Sequence, residues 1–180
     1  MPTITVFTIG HSNHSIDRFI ALLKQHRIEA LVDVRRYPAS RRLPHFNRPH
    51  LAKVLAEHGI EYHWLQSLGG QRQKGLPDSP NLGIKEGAFR NYADHMLSDE
   101  FRNGVDRLLQ IGDTTRTAMM CAESSFRQCH RKLLSDFLLA NGVTVQHILA
   151  SGDLEPHQLS EGAKAASGNV TYPASLPLFE

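Results

Sequence analysis

Both cysteines of this chain lie in residues 117–131 (TAMMCAESSFRQCHR), together with acidic, basic and imidazole side chains. The stretch begins as a short apolar strand that ends at Cys121 and continues, after a polar turn, with helical spacing. Ser125 and Gln128 have the spacing of a capping box, which predicts that the helix begins directly after the turn. Cys121 would then lie one short loop before a helix N-terminus, where free N–H groups and the helix dipole stabilise an anion or a thiolate.

Cys121 is the leading candidate for a nucleophile at this strand end. Burial as a small apolar residue is the alternative, because free cysteine is among the most buried residue types. Arg127 and Arg131, one helical turn apart, would hold an anion beside it. Cys129 shares the helical spacing of the apolar residues that follow it, so packing in the core is the stronger interpretation for this second thiol.

A divalent metal site is another use for the same stretch, formed by Cys121, Cys129 and His130 and completed by His11 or Glu123. This alternative is the weaker one, since Cys-x7-Cys-His is not a recurrent zinc spacing and the chain has no second pair of cysteines. The sequence predicts no organic cofactor.

Strand-like and helical patterns alternate along the chain. Strands are expected at residues 3–9, 30–34, 60–65, 117–121 and 143–149. This alternation predicts an α/β fold of three layers, with a mostly parallel five-stranded sheet covered by helices on both faces. We expect one α/β domain over residues 1–157 and a Gly-, Ser- and Pro-rich tail with an apolar end over residues 158–180. One weak helical pattern spans residues 157–166.

Polar residues follow four of the predicted strands. In parallel α/β sheets ligands bind outside the carboxyl ends of the strands, so these residues should converge in one crevice. They are His11 and Ser12, Asp33 and Arg35, Gly69 and Gly70, and Cys121 and Glu123.

We assign His11, Asp33 and Glu123, with Cys121, to the reactive set of this crevice. Asp33 and Arg35 point the same way along a strand, so a simple ion pair between them is the alternative. Glu123 could be a general acid or base whose pKa is raised by burial, or a partner for a nearby arginine.

Residues 35–50 contain five arginines, two histidines, Tyr37 and Phe46, without any acidic residue. Arginine with interleaved aromatic residues is the pattern expected for holding phosphates and stacking bases. The whole chain has fourteen arginines against six lysines, a bias that favours an anionic ligand or nucleic acid. The predicted ligand-binding residues are Ser12, Arg35, Arg36, Arg41, Arg42, Arg127, His130 and Arg131.

Several short motifs occur in order along residues 4–157. They are Gly10-His11-Ser12, Asp33-Val34-Arg35, residues 38–46, Leu68-Gly69-Gly70, Cys121-Ala122-Glu123, Cys129-His130-Arg131, His147-Ile148-Leu149 and Glu155-Pro156-His157. In this order they resemble the family catalogued as "domain of unknown function 488". The resemblance implies a single α/β domain of bacterial type and supplies no activity.

A weaker similarity connects the chain with rhodanese-type domains. In those domains Asp-Val-Arg closes an early strand and a later strand ends in a catalytic cysteine, and Asp33-Val34-Arg35 and Cys121 occur in that order. The similarity implies a rhodanese-like or doubly wound sheet. The spacing Cys121-x5-Arg127 also matches cysteine-dependent phosphatases, in which backbone N–H groups and one Arg hold phosphate while the thiolate attacks. Glu123 and a loop without Gly depart from that pattern, and Glu123 with His130 is the alternative reactive set.

Two functions are consistent with these residues. The first is an enzyme, a hydrolase or transferase, that acts on a phosphate-bearing substrate such as nucleic acid, with Cys121 or Glu123 as the reactive group. The second is a non-catalytic nucleic-acid or nucleotide binding module associated with DNA processing. Two cysteines and the lack of a leader pattern predict a cytoplasmic protein, and no apolar run is long enough to cross a membrane.

The last six residues (SLPLFE) are unusually apolar for a chain end. Folding back onto the domain is one interpretation. The other is a resemblance to the short peptide by which bacterial replication and repair proteins dock on the sliding clamp. Ser175, Leu176, Leu178 and Phe179 would make that contact, with Ser175 where Gln is usual and residues 162–174 as a tether.

Overall fold

The computed structural model describes residues 3–174, which form a six-stranded central sheet, five α-helices and a separate two-stranded hairpin. The strands are β1 (Thr5–Gly10), β2 (Ala30–Asp33), β3 (Glu61–Trp64), β4 (Thr117–Cys121), β5 (Thr144–Ile148), β6 (Leu154–Pro156), β7 (Lys164–Ala166) and β8 (Asn169–Thr171). The helices are α1 (Ile16–Gln25), α2 (Arg48–Glu57), α3 (Gly87–His95), α4 (Asp99–Thr114) and α5 (Arg131–Ala140). Short 3₁₀ turns occur at Pro44–Phe46, Gln66–Leu68 and Phe126–Gln128.

The strand order of the central sheet is β3-β2-β4-β1-β5-β6, in which only β6 runs antiparallel to its neighbour. The predicted α/β class with a mostly parallel sheet is confirmed. The sequence predicted five strands because β6 is a three-residue edge strand, too short to produce a readable alternation. β4 pairs with both β1 and β2, so the carboxyl ends of these three strands meet near the centre of the sheet.

Each face of the sheet packs against its own group of helices. Met120 of β4 contributes to a core with α1 and α2, which includes Phe19 and Leu51. Its neighbour Met119 points to the opposite face, where α3, α4 and α5 supply a second core that includes Phe101. The three-layer arrangement therefore follows from strands that are apolar on both faces.

Two helices begin at a serine cap, which the helical spacing after Ser15 and after Ser98 predicts from the sequence. The Ser15 hydroxyl accepts from the Arg18 N–H at 3.1 Å at the start of α1. At the start of α4, the Ser98 hydroxyl accepts from the Phe101 N–H at 3.2 Å. Each cap satisfies one of the backbone donors that the first turn of a helix leaves free.

The predicted start of the helix after β4 is wrong. Ser125 caps only the 3₁₀ turn at Phe126–Gln128, and α5 begins at Arg131. Cys129 lies between them with extended backbone angles (φ −139°, ψ 156°), which end the 3₁₀ turn. Consequently Cys129, and not Cys121, is the thiol that directly precedes the helix start.

Residues 157–166 do not form the predicted weak helix. The chain instead enters the β7–β8 hairpin, after which Val170 and Tyr172 are buried in the core beneath α5. Residues up to Tyr172 therefore pack on the domain and do not form a free tether. The proposed clamp-binding residues, Ser175, Leu176, Leu178 and Phe179, lie outside the described residues.

None of the helices between residues 3 and 174 is both long enough and apolar enough to span a lipid bilayer.

Candidate functional site

An open cavity of about 600 Å³ lies at the carboxyl ends of β1, β2 and β4. Many predicted residues line it, together with Cys129: His11, Ser12, Arg35, Arg36, Arg42, Cys121, Glu123 and His130. The other predicted residues do not reach its wall: Asp33, Arg41, Arg127 and Arg131. The strand ends thus converge as the α/β pattern predicted, but the set of side chains that faces the cavity differs from the expected one.

The backbone hydrogen bonds between β1 and β4 continue past the ends of both strands and join the loops that follow them. The His11 N–H donates to the Cys121 carbonyl and the Ser12 N–H to the Ala122 carbonyl, each at 2.9 Å. Ser12 adopts a left-handed conformation (φ 47°), which is uncommon for a residue with a side chain and is concentrated at functional sites. The backbone on this wall of the cavity is therefore held in a sparsely populated conformation by its hydrogen bonds.

Gly10 permits this close approach. A Cβ atom at this position would lie 1.7 Å from the Glu123 carbonyl oxygen, a separation that no side chain tolerates. Gly70 has a similar role across the cavity, because its Cβ would lie 2.7 Å from His130 Nδ1. Two of the glycines in the sequence motifs thus leave space for groups of the site.

The two thiols form a contact pair in the wall of the cavity. The Sγ atoms of Cys121 and Cys129 lie 2.7 Å apart, and the residues are only 2% and 5% exposed. Burial raises the pKa of the Cys121 thiol, as do its hydrogen bond to Cys129 and the charge there. Burial also opposes ionisation of Cys129, but the hydrogen bond with Cys121, the Arg131 charge and the Arg131 N–H lower its pKa to about 7. Cys129 is therefore the thiol that ionises first, which reverses the expectation from the sequence.

The neighbouring imidazole also faces the Cys129 thiol. His130 Nε2 lies 2.9 Å from the Val34 carbonyl oxygen, which can only accept, so this nitrogen carries the proton. The other ring nitrogen, Nδ1, is then an acceptor, and it lies 3.5 Å from Cys129 Sγ. Burial lowers the pKa of His130, so the ring is neutral near pH 7 and can accept the thiol proton.

Arg131 is a buried cation directly behind the thiols, with an exposed fraction of 1%. Its Nη2 donates to the carbonyl oxygens of Glu123 (2.8 Å) and Ser124 (3.2 Å), which fixes the loop after β4. No carboxylate in the described residues lies within ion-pair distance of it, and its Nε–H has no hydrogen-bond partner there. A thiolate on Cys129 is therefore the natural counter-charge for this guanidinium.

A chain of buried hydrogen bonds leads from Arg131 away from the cavity. Arg131 Nη1 donates to Thr8 Oγ1 at 3.0 Å, and that hydroxyl lies 2.6 Å from His147 Nδ1. His147 Nε2 lies 2.8 Å from His157 Nδ1, and His157 Nε2 lies 2.7 Å from Asp136 Oδ1. At one end of the chain the guanidinium donates to Thr8 Oγ1, and at the other end His157 Nε2 donates to the Asp136 carboxylate.

Asp136 joins this chain to the C-terminal segment. Its carboxylate also accepts from the Tyr172 hydroxyl at 2.7 Å and from the Ser160 N–H at 3.0 Å. Burial and the nearby imidazole of His157 lower the pKa of His147 to about 2, so this member of the chain stays neutral. The segment after β6 is thus connected to the loop that carries the thiols.

Asp33 and Arg35 form the ion pair that the sequence offered as an alternative. Two parallel hydrogen bonds of 2.9 and 2.7 Å join the guanidinium to the carboxylate, and the Tyr62 hydroxyl donates to Asp33 at 2.5 Å. Arg35 Nη1 lies 3.4 Å from His11 Nε2. Burial lowers the pKa of His11 to about 4, so its imidazole is neutral, with Nδ1–H donating to the Ser12 carbonyl at 2.8 Å and Nε2 facing Arg35. This cluster neutralises its own charges and shapes the wall.

The cations available to a ligand are fewer than the sequence predicted. Arg36 and Arg42 line the cavity, whereas Arg41 is exposed outside it. Arg127 pairs with Glu155 on the edge strand and lies over the Phe126 ring. The Cys121-x5-Arg127 cradle of a phosphatase loop is therefore not formed, because the edge strand supplies a carboxylate that holds the arginine elsewhere.

Glu123 is exposed on the cavity rim, so the burial of its carboxylate that the sequence suggested is absent. It also forms no ion pair with Arg127 or Arg131, and Arg131 contacts its carbonyl oxygen instead. The backbone N–H groups of Ala122 and Glu123 donate to no acceptor within residues 3–174. These two free donors beside the thiols provide a place for an anionic oxygen.

Residues 3–174 contain no group of three or more His, Cys, Asp and Glu side chains arranged to hold a metal ion.

Sequence reasoning did not identify the buried chain behind the thiols. Asp136 lies within an otherwise apolar helical run, and His147 lies in a buried strand next to apolar residues. Polar groups at such positions require partners, and that requirement is the signal that could have found them. The partners themselves are far apart in the sequence and become neighbours only in the folded chain.

The fold and the site define a three-layer α/β protein with a thiol pair at the end of its central strand. The family model described as "Domain of unknown function DUF488" matches residues 15–138, more than half of the chain. The chain belongs to this family, which confirms the resemblance seen in the sequence motifs. No curated protein and no solved structure matches the chain.

Gly10→Ala should strongly destabilise the protein, because the new methyl group would collide with the Glu123 carbonyl. We expect a loss of about 1–3 kcal/mol in the free energy of unfolding, measured by urea denaturation. Gly87→Ala is the matched control, since nothing lies within 4 Å of its Cβ position. Equal stability of the Gly10→Ala variant and the parent protein would contradict the described approach of the two loops.

Proposed function

We propose that this chain is a thiol-dependent enzyme that acts on a phosphate-bearing substrate in the cavity, with Cys129 as the nucleophile. The observation that carries the proposal is the set of groups around Cys129 Sγ. Cys121 contacts it at 2.7 Å, the Arg131 N–H points to it at 3.4 Å and His130 Nδ1 lies at 3.5 Å. A thiol with this environment is activated in the manner of known cysteine nucleophiles.

The cavity supports an anionic substrate. Arg36 and Arg42 lie on its wall, and the N–H groups of Ala122 and Glu123 are free to donate to a phosphate oxygen. In the proposed reaction the Cys129 thiolate displaces an oxygen leaving group from phosphorus, and the leaving oxygen takes a proton from solvent. Water then displaces the thiolate from phosphorus and gives a proton to solvent.

One exposed aromatic residue favours a nucleotide or nucleic acid as the substrate class. Tyr37 is 58% exposed and lines the cavity, and the Arg36 guanidinium lies 5.5 Å from its ring centroid. An exposed ring next to arginines that have no carboxylate partner in the described residues suits a stacked base with an adjacent phosphate. The same observation supports the second candidate function, a nucleic-acid or nucleotide binding module without catalysis. A measurement of turnover distinguishes this module from the enzyme.

Replacement of Arg42 by Ala should weaken binding of a fluorescent single-stranded oligonucleotide and lower the slope of its salt dependence by roughly one unit. Arg41→Ala is the matched control, because Arg41 is adjacent in the chain and lies outside the cavity. Fluorescence anisotropy at several salt concentrations gives both quantities. An equal effect of the two substitutions, or no binding by the parent protein, would remove the nucleic-acid proposal.

A second experiment measures the turnover of a phosphate ester. The parent protein should release product from a chromogenic phosphate ester or shorten the oligonucleotide, and Cys129→Ser should lower the rate by at least a hundredfold, about 2.7 kcal/mol in activation free energy. Oligonucleotide binding without turnover in either protein would favour the binding module. Unchanged turnover in Cys129→Ser would reject the thiol as the nucleophile.

A bacterial sliding clamp remains a proposed partner through Ser175, Leu176, Leu178 and Phe179. The support is the motif together with the proposed nucleic-acid substrate, since such peptides place two or three apolar side chains in a groove of the clamp. A labelled peptide of residues 172–180 should bind the clamp more tightly than the same peptide with Leu178→Ala and Phe179→Ala. Equal anisotropy for both peptides would reject this partner.

A further inference from the structure

We propose that the same cavity also accepts small anionic disulfides, and that Cys121 and Cys129 together reduce them by thiol–disulfide exchange. The inference depends on the proposed function only in its choice of Cys129 as the first nucleophile. It assigns to Cys121 a chemical step of its own, as the resolving thiol. The product is a Cys121–Cys129 disulfide, in which the nucleophile of the phosphate reaction is capped until a thiol reduces it.

The geometry of the pair is the basis of this proposal. The two Sγ atoms are 2.7 Å apart, so a bond of about 2.0 Å requires side-chain shifts of well under 1 Å. Cys121 is fixed as the last residue of β4, and Cys129 is fixed just before α5 by the 3₁₀ turn between them. The seven residues between the cysteines form a loop and the 3₁₀ turn, so no strand or α-helix lies between the two thiols in the chain.

The two thiols differ in the number of cavities that they line. Both line the main cavity of about 600 Å³, but only Cys129 also borders a neighbouring cavity of about 330 Å³. An incoming disulfide therefore has more approaches to Cys129 than to Cys121. Arg36 and Arg42 on the main wall favour a disulfide that carries carboxylates.

The exchange reaction takes place in two steps. The Cys129 thiolate attacks one sulfur of the small disulfide, whose S–S bond breaks, and the first small thiolate leaves. Cys121 then loses its proton to solvent, and its thiolate attacks Cys129 Sγ, so that the mixed disulfide breaks and the second small thiolate leaves. The protein loses two electrons and two protons, and the small disulfide is reduced to two thiols.

The electrostatics of the pair match this order of events. Burial raises the pKa of Cys121, and the negative charge and hydrogen bond of Cys129 raise it further. Once Cys129 is bound in a mixed disulfide, the last two causes disappear while the Arg131 charge remains. Cys121 therefore becomes easier to ionise at the point where it must attack.

The test uses the reduced full chain and the aromatic disulfide dithiobis(nitrobenzoate), which releases a coloured thiolate. The parent protein should release two equivalents of the thiolate, retain no adduct and lose the mass of two hydrogen atoms. Cys121→Ser should release one equivalent and retain the adduct on Cys129, because a hydroxyl cannot resolve it. Cys129→Ser should react at least tenfold more slowly than Cys121→Ser. Since the chain has only two cysteines, no other thiol contributes.

Two results would overturn the proposal. One is a parent protein that retains an adduct on each cysteine, because then the two thiols react independently. The other is equal reaction rates for Cys121→Ser and Cys129→Ser, with both variants folded by circular dichroism. Failure of the phosphate assay would leave this result unaffected, and failure of exchange with intact phosphate turnover would reject only the exchange.

Discussion

The buried guanidinium of Arg131 is the group on which the geometry of the site depends. A cation that is 1% exposed and has no carboxylate within ion-pair distance in the described residues must find other acceptors. It finds them in the Glu123 and Ser124 carbonyls, which fixes the loop after β4, and in the Thr8 hydroxyl, which fixes β1 to the same point. Its positive charge also lowers the pKa of the Cys129 thiol.

The Asp33–Arg35 pair and the Arg131 guanidinium differ in how far their charges are compensated by a partner. In the Asp33–Arg35 pair, both charges are paired through two hydrogen bonds, so the cluster can position neighbours but has little charge left for a ligand. Arg131 has no carboxylate within ion-pair distance in the described residues, and its hydrogen bonds reach the Asp136 carboxylate only through Thr8, His147 and His157. The loop that carries Cys121 and Cys129 therefore remains electropositive, and a thiolate is stabilised there.

The sequence predicted those features that depend on local pattern. Alternating strands and helices gave the α/β class, and Ser15 and Ser98 gave two helix starts, because both signals lie within a few neighbouring residues. The roles of Cys129 and Arg127 could not be predicted in this way. Cys129 acquires its role from Cys121 and from a late start of α5, and Arg127 is held by Glu155 of an edge strand too short to recognise. Both depend on contacts between distant segments.

The ionisation order of the two thiols tests the account most directly. Alkylation by iodoacetamide, followed over a range of pH and mapped by mass spectrometry, gives a separate rate for each cysteine. Cys129 should react first, with a half-maximal rate near pH 7, because its thiolate is stabilised by Cys121 and Arg131. Cys121 should stay protonated to well above the ordinary thiol pKa of 9.0. Faster labelling of Cys121, or parallel rates with both midpoints near 9.0, would contradict the account.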